Sequence, residues 1–189
     1  MIYLFIIIVE KIIMPSTIDQ IKAFFPLETW EKNEILRTKC EKVEVFDDEI
    51  RDFCDVLVDL MYAYDWCWLA APQIWQNIRI IATTQRKEVK KWNKSKREII
   101  WEMPMVNPEI LEHSEIMKPW EEACLSVPWV CWDVERWTRV VVRYQDKKWK
   151  LHTQKFTWFS AVVIQHEMDH LEWILFSDKV IWDLRKIEN

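Results

Sequence analysis

The chain has 189 residues, a length that fits one domain or one domain with an extension. A formal net charge of −5 argues against the nucleic-acid-binding class, which requires a basic face. Half of the residues are hydrophobic and 30% are charged, which is ordinary for a globular protein. The five cysteines follow no framework spacing, which favours a reducing compartment and thiols that serve as core residues or metal ligands.

The first 13 residues form an apolar extension. The run is too short to span a bilayer, lacks a basic segment before it, and precedes no small-residue cleavage site. We interpret residues 1–13 as an upstream extension or a misassigned start. A membrane-surface or organelle-directed segment and a packed strand remain as alternatives. Residues 14–189 are expected to form a single domain.

The composition contains no glycine and 14 tryptophans, whereas average usage of about 7% glycine would supply roughly a dozen. Several tryptophans stand where backbone geometry favours glycine. Trp149 follows Asp146 in an expected hairpin turn. Trp66 and Trp68 follow an expected helix, where a C-terminal glycine is common. The simplest interpretation is that tryptophan stands where a parent sequence has glycine.

The clearest helix begins after an N-cap at Asp47 or Asp48. From Ile50 to Tyr64 the apolar residues recur at helical spacing, so one face should pack on the core. An apolar loop over 66–75 follows.

Residues 78–84 read as a strand, and residues 86–99 read as a polar loop. The loop contains a Lys/Arg cluster, which we interpret as solvated rather than as a ribosome or nucleic-acid contact.

A strand over Val134–Tyr144 should pair with Leu151–Phe156 across the turn at Asp146–Trp149. The chain then enters a helix over 160–172. The order of elements predicts an α+β fold, with short antiparallel strands packed around a central C-terminal helix.

That helix carries the chemistry. His166 and His170 are four residues apart, so both imidazoles can face one metal ion, and Glu167 lies beside them. A catalytic metal takes three protein ligands and keeps one position open. The third could be His113, His152, a carboxylate or Cys124, and we favour Cys124 because a thiolate binds zinc or ferrous iron well.

Three segments, taken in order, resemble the peptide deformylase family. Residues 66–75 (WCWLAAPQIW) are similar to its G-x-G-L-A-A-x-Q-x-G motif, Glu122–Ser126 (EACLS) to E-G-C-L-S, and Gln165–His170 (QHEMDH) to Q-H-E-x-D-H. The resemblance covers roughly residues 34–180. Tryptophan stands at motif glycines and Ala123 at another, so the departures are mostly of one kind.

The resemblance implies removal of the formyl group from the N-terminal formyl-methionine of new polypeptides. It implies one divalent metal held by Cys124, His166 and His170, with Fe²⁺ expected and Zn²⁺, Ni²⁺ or Co²⁺ as alternatives. A formyl-methionyl peptide is the expected partner, near the ribosome, without nucleic acid or stable membrane insertion. The expected location is the cytoplasm, or an organelle if residues 1–13 are a targeting remnant.

The resemblance also assigns roles to individual residues. Glu167 would accept a proton from water, while the Gln73 side-chain amide and the Leu125 backbone N–H would donate to the developing oxyanion. Glu122 and Asp169 would hold neighbouring groups in place.

Two alternatives remain at this point. One is a zinc peptidase of the His-Glu-x-x-His type, which differs in its third ligand. The other is an inactive or purely structural metal-binding fold, which would apply if the tryptophans at glycine positions are literal.

Overall fold

The computed structural model describes residues 26–29, 32–91 and 94–181, with the backbone alone for 85–91 and 94–101. The predicted extension at residues 1–13 lies outside the described residues.

Helix α1 spans Asp48–Ala63, as its apolar spacing predicts. Asp47 is the N-cap, and its Oδ1 accepts a hydrogen bond from the Ile50 backbone N–H at 3.1 Å. The buried face forms one side of the core, and its largest members are Phe53, Leu57, Leu60 and Met61.

The end of α1 differs from the prediction at one position. The residue with positive φ is Asp65 (φ 55°), and neither Trp66 nor Trp68 takes that conformation. The Trp66 N–H donates to the Met61 carbonyl at 3.0 Å, which closes the last turn. An aspartate at this position reaches the left-handed region at lower cost than most residues.

Seven strands follow within the described residues, and they form two antiparallel sheets. The five-stranded sheet has the order β1-β2-β3-β6-β7, and the two-stranded sheet pairs β4 with β5. The strands are β1 Trp68–Ala70, β2 Ile80–Lys91, β3 Lys94–His113, β4 Met117–Cys124, β5 Val127–Trp137, β6 Arg139–Gln145 and β7 Leu151–Thr157.

The prediction of a polar loop over 86–99 is wrong. Strands β2 and β3 pair from Ile80–Val106 out to Lys91–Lys94. The ladder is made by backbone groups, so it does not require the alternating apolar pattern that the prediction sought. β2 and β3 are therefore longer than the short strands expected, at 12 and 20 residues.

The expected strand over 134–144 is divided between the two sheets at Thr138. β5 pairs with β4 before this residue, and β6 pairs with β3 and β7 after it. The backbone of Thr138 makes its hydrogen bonds outside both ladders. Its N–H donates to the carbonyl of Ile116, and its carbonyl accepts from the N–H of Trp158. The hairpin between β6 and β7 is confirmed, and Trp149 in its turn has φ 69°.

Helix α2 spans Phe159–Leu171 and contacts β1, β2, β5 and β7. A helix that is buried on most of its surface belongs inside a core. The α+β prediction with a central C-terminal helix is therefore confirmed. The buried residues of α2 are Ala161, Val162, Val163, Ile164, Gln165, His166, Glu167, His170 and Leu171.

Five of the seven residues with positive φ in the described part of the chain are tryptophans. This region of backbone space favours glycine, and a bulky residue there is an outlier. The backbone thus supports the interpretation that tryptophan stands at glycine positions. The five are Trp75, Trp129, Trp149, Trp158 and Trp173.

Candidate metal centre

The end of β4 and the middle of α2 bring three predicted ligands together. The Cys124 Sγ and one nitrogen from each of His166 and His170 all lie within 4.8 Å of one another. Cys124 Sγ is 3.2 Å from His170 Nε2. All three side chains are buried, so a cation bound among them would be shielded from bulk water.

The orientation of the His166 ring is set by Glu122. His166 Nδ1 lies 2.8 Å from Glu122 Oε2. Burial raises the pKa of Glu122, but hydrogen bonds from Arg136 and His166 outweigh it and lower that pKa to about 2. An ionised Glu122 accepts a hydrogen bond from the Nδ1–H of His166, which leaves the lone pair of Nε2 available to a metal.

The second imidazole is kept neutral. Burial is the main reason that the pKa of His170 lies well below its ordinary value. A neutral imidazole is the form that ligates metals, and its Nε2 faces the Cys124 sulfur.

Glu167 is a buried carboxylate beside the cluster. Among the described residues neither of its oxygens has a hydrogen-bond partner, and Oε1 lies 3.9 Å from His166 Nε2. Burial, with the nearby charge of Glu122, raises the pKa of Glu167 well above its ordinary value. A carboxylate in this setting is a strong proton acceptor when it is ionised.

Gln73 approaches the cluster from a 3₁₀ helix at Ala71–Ile74. Its Oε1 accepts from the Ala70 N–H at 2.8 Å, which fixes the direction of the amide. Its Nε2 donates to Ser126 Oγ at 3.0 Å and lies 3.6 Å from Cys124 Sγ. Leu125 and Ser126 form the two-residue turn between β4 and β5, so Leu125 adjoins Cys124 in the chain.

The donor set fits a divalent transition metal. One sulfur and two imidazole nitrogens are the ligands that zinc and ferrous iron accept. Two of the buried atoms that border the cluster, His166 Nε2 and Glu167 Oε1, are without a hydrogen-bond partner in the described part of the chain. Burial, together with the Glu167 carboxylate, raises the pKa of the Cys124 thiol to about 12. A cation beside the sulfur would lower this pKa and favour the thiolate, which is the form that ligates metals.

The other candidates for the third ligand lie elsewhere. His113 stacks on Trp137 with ring centroids 3.9 Å apart, and His152 Nε2 is 2.7 Å from Asp146 Oδ2. Cys124 is the third member of the one metal-ligating group found in the described residues.

Arg136 is a buried residue of the site that sequence reasoning missed. Its guanidinium donates to Glu122 from Nε (2.7 Å) and Nη2 (2.9 Å), and to Asp169 from Nη1 (2.5 Å). A signal was available in β5, where the period-2 alternation that buries Val134 also turns Arg136 inward.

A Cys/His/His cluster with an adjacent buried carboxylate defines the site of a metal-dependent hydrolase. Residues 27–185 match the sequence model of the family described as polypeptide deformylase. Over 146 residues, 77% of this chain and 82% of that protein, the chain is 35% identical to a peptide deformylase of Borreliella burgdorferi. It is 38% identical to one from Pseudothermotoga lettingae, over 77% of each chain.

Solved structures of peptide deformylases are similar to this chain as well. The class I type b peptide deformylase of Acinetobacter baumannii, with Met-Ala-Ser bound, superimposes with a TM-score of 0.72 at 30% identity, over 82% of this chain and 98% of that one. The chain belongs to the peptide deformylase family. Members of this family are metal-dependent hydrolases that remove the formyl group from N-terminal formyl-methionine. This assignment disfavours the zinc-peptidase alternative.

Within the described residues, no helix has both the length and the apolar character needed to cross a bilayer.

Proposed function

We propose that this chain hydrolyses the formamide bond of N-terminal formyl-methionine on new polypeptides, using one metal ion held by Cys124, His166 and His170. The observation that carries the proposal is the approach of their three ligand atoms to within 4.8 Å of one another. The A. baumannii relative binds Met-Ala-Ser, a peptide that begins with methionine. That complex supports a methionyl peptide as the substrate here.

The proposed metal is Fe²⁺, with Zn²⁺, Ni²⁺ and Co²⁺ as substitutes. When bound, such an ion supplies Lewis acidity that lowers the pKa of a water molecule. One thiolate and two neutral imidazoles suit this role, because three protein ligands leave a position open.

Glu167 is the proposed proton acceptor. Its carboxylate is fully buried and lies 3.9 Å from His166 Nε2. Burial raises the pKa of Glu167, but the positive charge of a metal ion held at this site would favour the ionised carboxylate. Glu167 then takes a proton from the attacking water and returns it to the leaving amine.

Gln73 and Leu125 are the proposed donors to the formyl oxygen as it gains negative charge. The amide of Gln73 is held at its oxygen by the Ala70 N–H, so its Nε2 already points toward Cys124. A donor oriented before the reaction needs no reorganisation during it. The Leu125 backbone N–H would act from the turn that follows Cys124.

The methionine side chain of the substrate needs an apolar pocket. We assign this role to Cys67, Val162 and Val163. The two valines are buried in α2, four and three residues before His166. The formyl-methionyl chain emerges at the ribosome, so we place the enzyme in the cytoplasm near it.

The test uses protein purified under anaerobic conditions, elemental analysis, and a formyl-Met peptide assay. Glu167→Gln should retain the metal while turnover falls by about 10²–10⁴-fold, because only the proton acceptor is lost. Turnover near that of the parent would remove Glu167 from its role. Bound metal without deformylation, with any of the four metals, would instead favour a structural site.

A further inference from the structure

We infer that Arg136 is a positioning residue that sets the spacing between Cys124 and the two histidines before metal binds. The inference rests on the metal site proposed above. It concerns one buried guanidinium that contacts carboxylates on both elements that supply ligands.

The two carboxylates have different locations. Glu122 is on β4, two residues before Cys124, and Asp169 is on α2, immediately before His170. Arg136 projects between them from β5, donating twice to Glu122 and once to Asp169. The guanidinium therefore bridges the strand that carries the sulfur and the helix that carries the imidazoles.

Glu122 transmits this position to a ligand. Its Oε2 accepts from Arg136 Nη2 at 2.9 Å and also lies 2.8 Å from His166 Nδ1. If the guanidinium is removed, the carboxylate loses two of its three donors and can rotate away from the imidazole. Groups that hold a ligating histidine in this way commonly change metal affinity by about 10–100-fold.

The charges around Arg136 are balanced. Two carboxylates face the one positive charge of Arg136. Lys179 supplies a second positive charge, because its Nζ lies 2.7 Å from Asp169. The network thus contains two cations and two anions. Arg136 is only 2% exposed, so its charge depends on these partners rather than on water.

The planar fork of the guanidinium is the feature that a lysine cannot reproduce. Three N–H groups reach two carboxylates in fixed directions, whereas an ammonium is a compact point charge on a flexible stem. Arg136→Lys therefore preserves the charge and removes the bridge. It separates positioning from simple charge compensation.

The experiment titrates Co²⁺ into metal-free parent protein and Arg136→Lys, and records affinity and the visible ligand-field spectrum. We expect Co²⁺ affinity to fall by about 10–100-fold, with altered bands that report a changed ligand geometry. The control is Arg143→Lys, which alters an exposed pair with Glu109 (2.6 Å) on β6 and β3. The control should match the parent in both measurements.

Parent-like affinity and spectrum in Arg136→Lys would overturn the inference, even if its melting temperature falls, because a merely structural residue affects stability alone. If Arg136→Lys does not fold, Asp169→Asn weakens the end of the bridge on α2 and leaves the contact between Glu122 and His166 in place. Weakened Co²⁺ binding in Asp169→Asn supports the inference, and parent-like binding overturns it. Failure of the parent itself to bind Co²⁺ would refute the proposed metal site instead.

Discussion

Trp129 offers a direct test of the interpretation that tryptophan occupies glycine positions. It lies in β5 with φ 72°, where residues 128–130 bulge out of the register with β4 between Val127 and Cys131. A bulge of this kind commonly takes a glycine in the left-handed conformation. The substitution to make is Trp129→Gly.

The size of the effect follows from exposure and backbone geometry. The Trp129 side chain is 93% exposed, so its removal forfeits almost no buried apolar area. Release of a side chain from the left-handed region gains about 1–2 kcal/mol. The greater freedom of glycine in the unfolded chain costs about 0.5–1 kcal/mol. Trp129→Gly should therefore raise the free energy of unfolding by about 0.5–1 kcal/mol.

The assay is urea unfolding, supported by calorimetry. For a chain of this length we expect the melting temperature to rise by about 1–4 °C. Trp120→Gly in β4 is the matched control, because Trp120 is half-buried and is not among the residues with positive φ. The control should lose about 1 kcal/mol or more. A Trp129→Gly protein less stable than its parent would refute the reasoning.

Two further substitutions test the site. Cys124→Ala should abolish tight metal binding and deformylation, as elemental analysis and the formyl-peptide assay would report; retained metal and activity would point to the zinc-peptidase ligand set. Glu122→Gln imitates the protonated carboxylate. Since each pKa unit is worth about 1.36 kcal/mol, a pKa of about 2 instead of 4.5 predicts a loss of about 3 kcal/mol at pH 7. The lowered pKa means that this stabilisation exists above pH 4.5 and disappears toward pH 2. Urea unfolding should show the two proteins converging over that range, and a constant difference would contradict the assignment.

Features that depend on neighbours in the chain were predictable. The N-cap at Asp47 needs only a side chain within reach of the Ile50 N–H. His166 and His170 share a face because of helical spacing. The turn before Trp149 follows from local turn chemistry. Each of these interactions closes within a few residues, so the sequence contains all of its partners.

Features that depend on distant segments were not predictable in the same way. The outer part of the β2–β3 ladder, within residues 86–99, carried no alternating pattern, and the break at Thr138 is set by Ile116 and Trp158. The contacts of Arg136 with Glu122 and Asp169 could not be predicted either, because the three residues come from different elements of the fold.

The proposed metal site depends both on neighbours in the chain and on distant segments. The spacing of His166 and His170 and the three motifs already indicated a metal hydrolase related to the deformylases. Folding was needed to bring the Cys124 sulfur within 3.2 Å of His170 and to bury Glu167 without hydrogen-bond partners among the described residues. It was also needed to place Arg136 between two carboxylates. Residue order specifies which groups are available, whereas burial and charge balance arise only when separate segments exclude water from the same space.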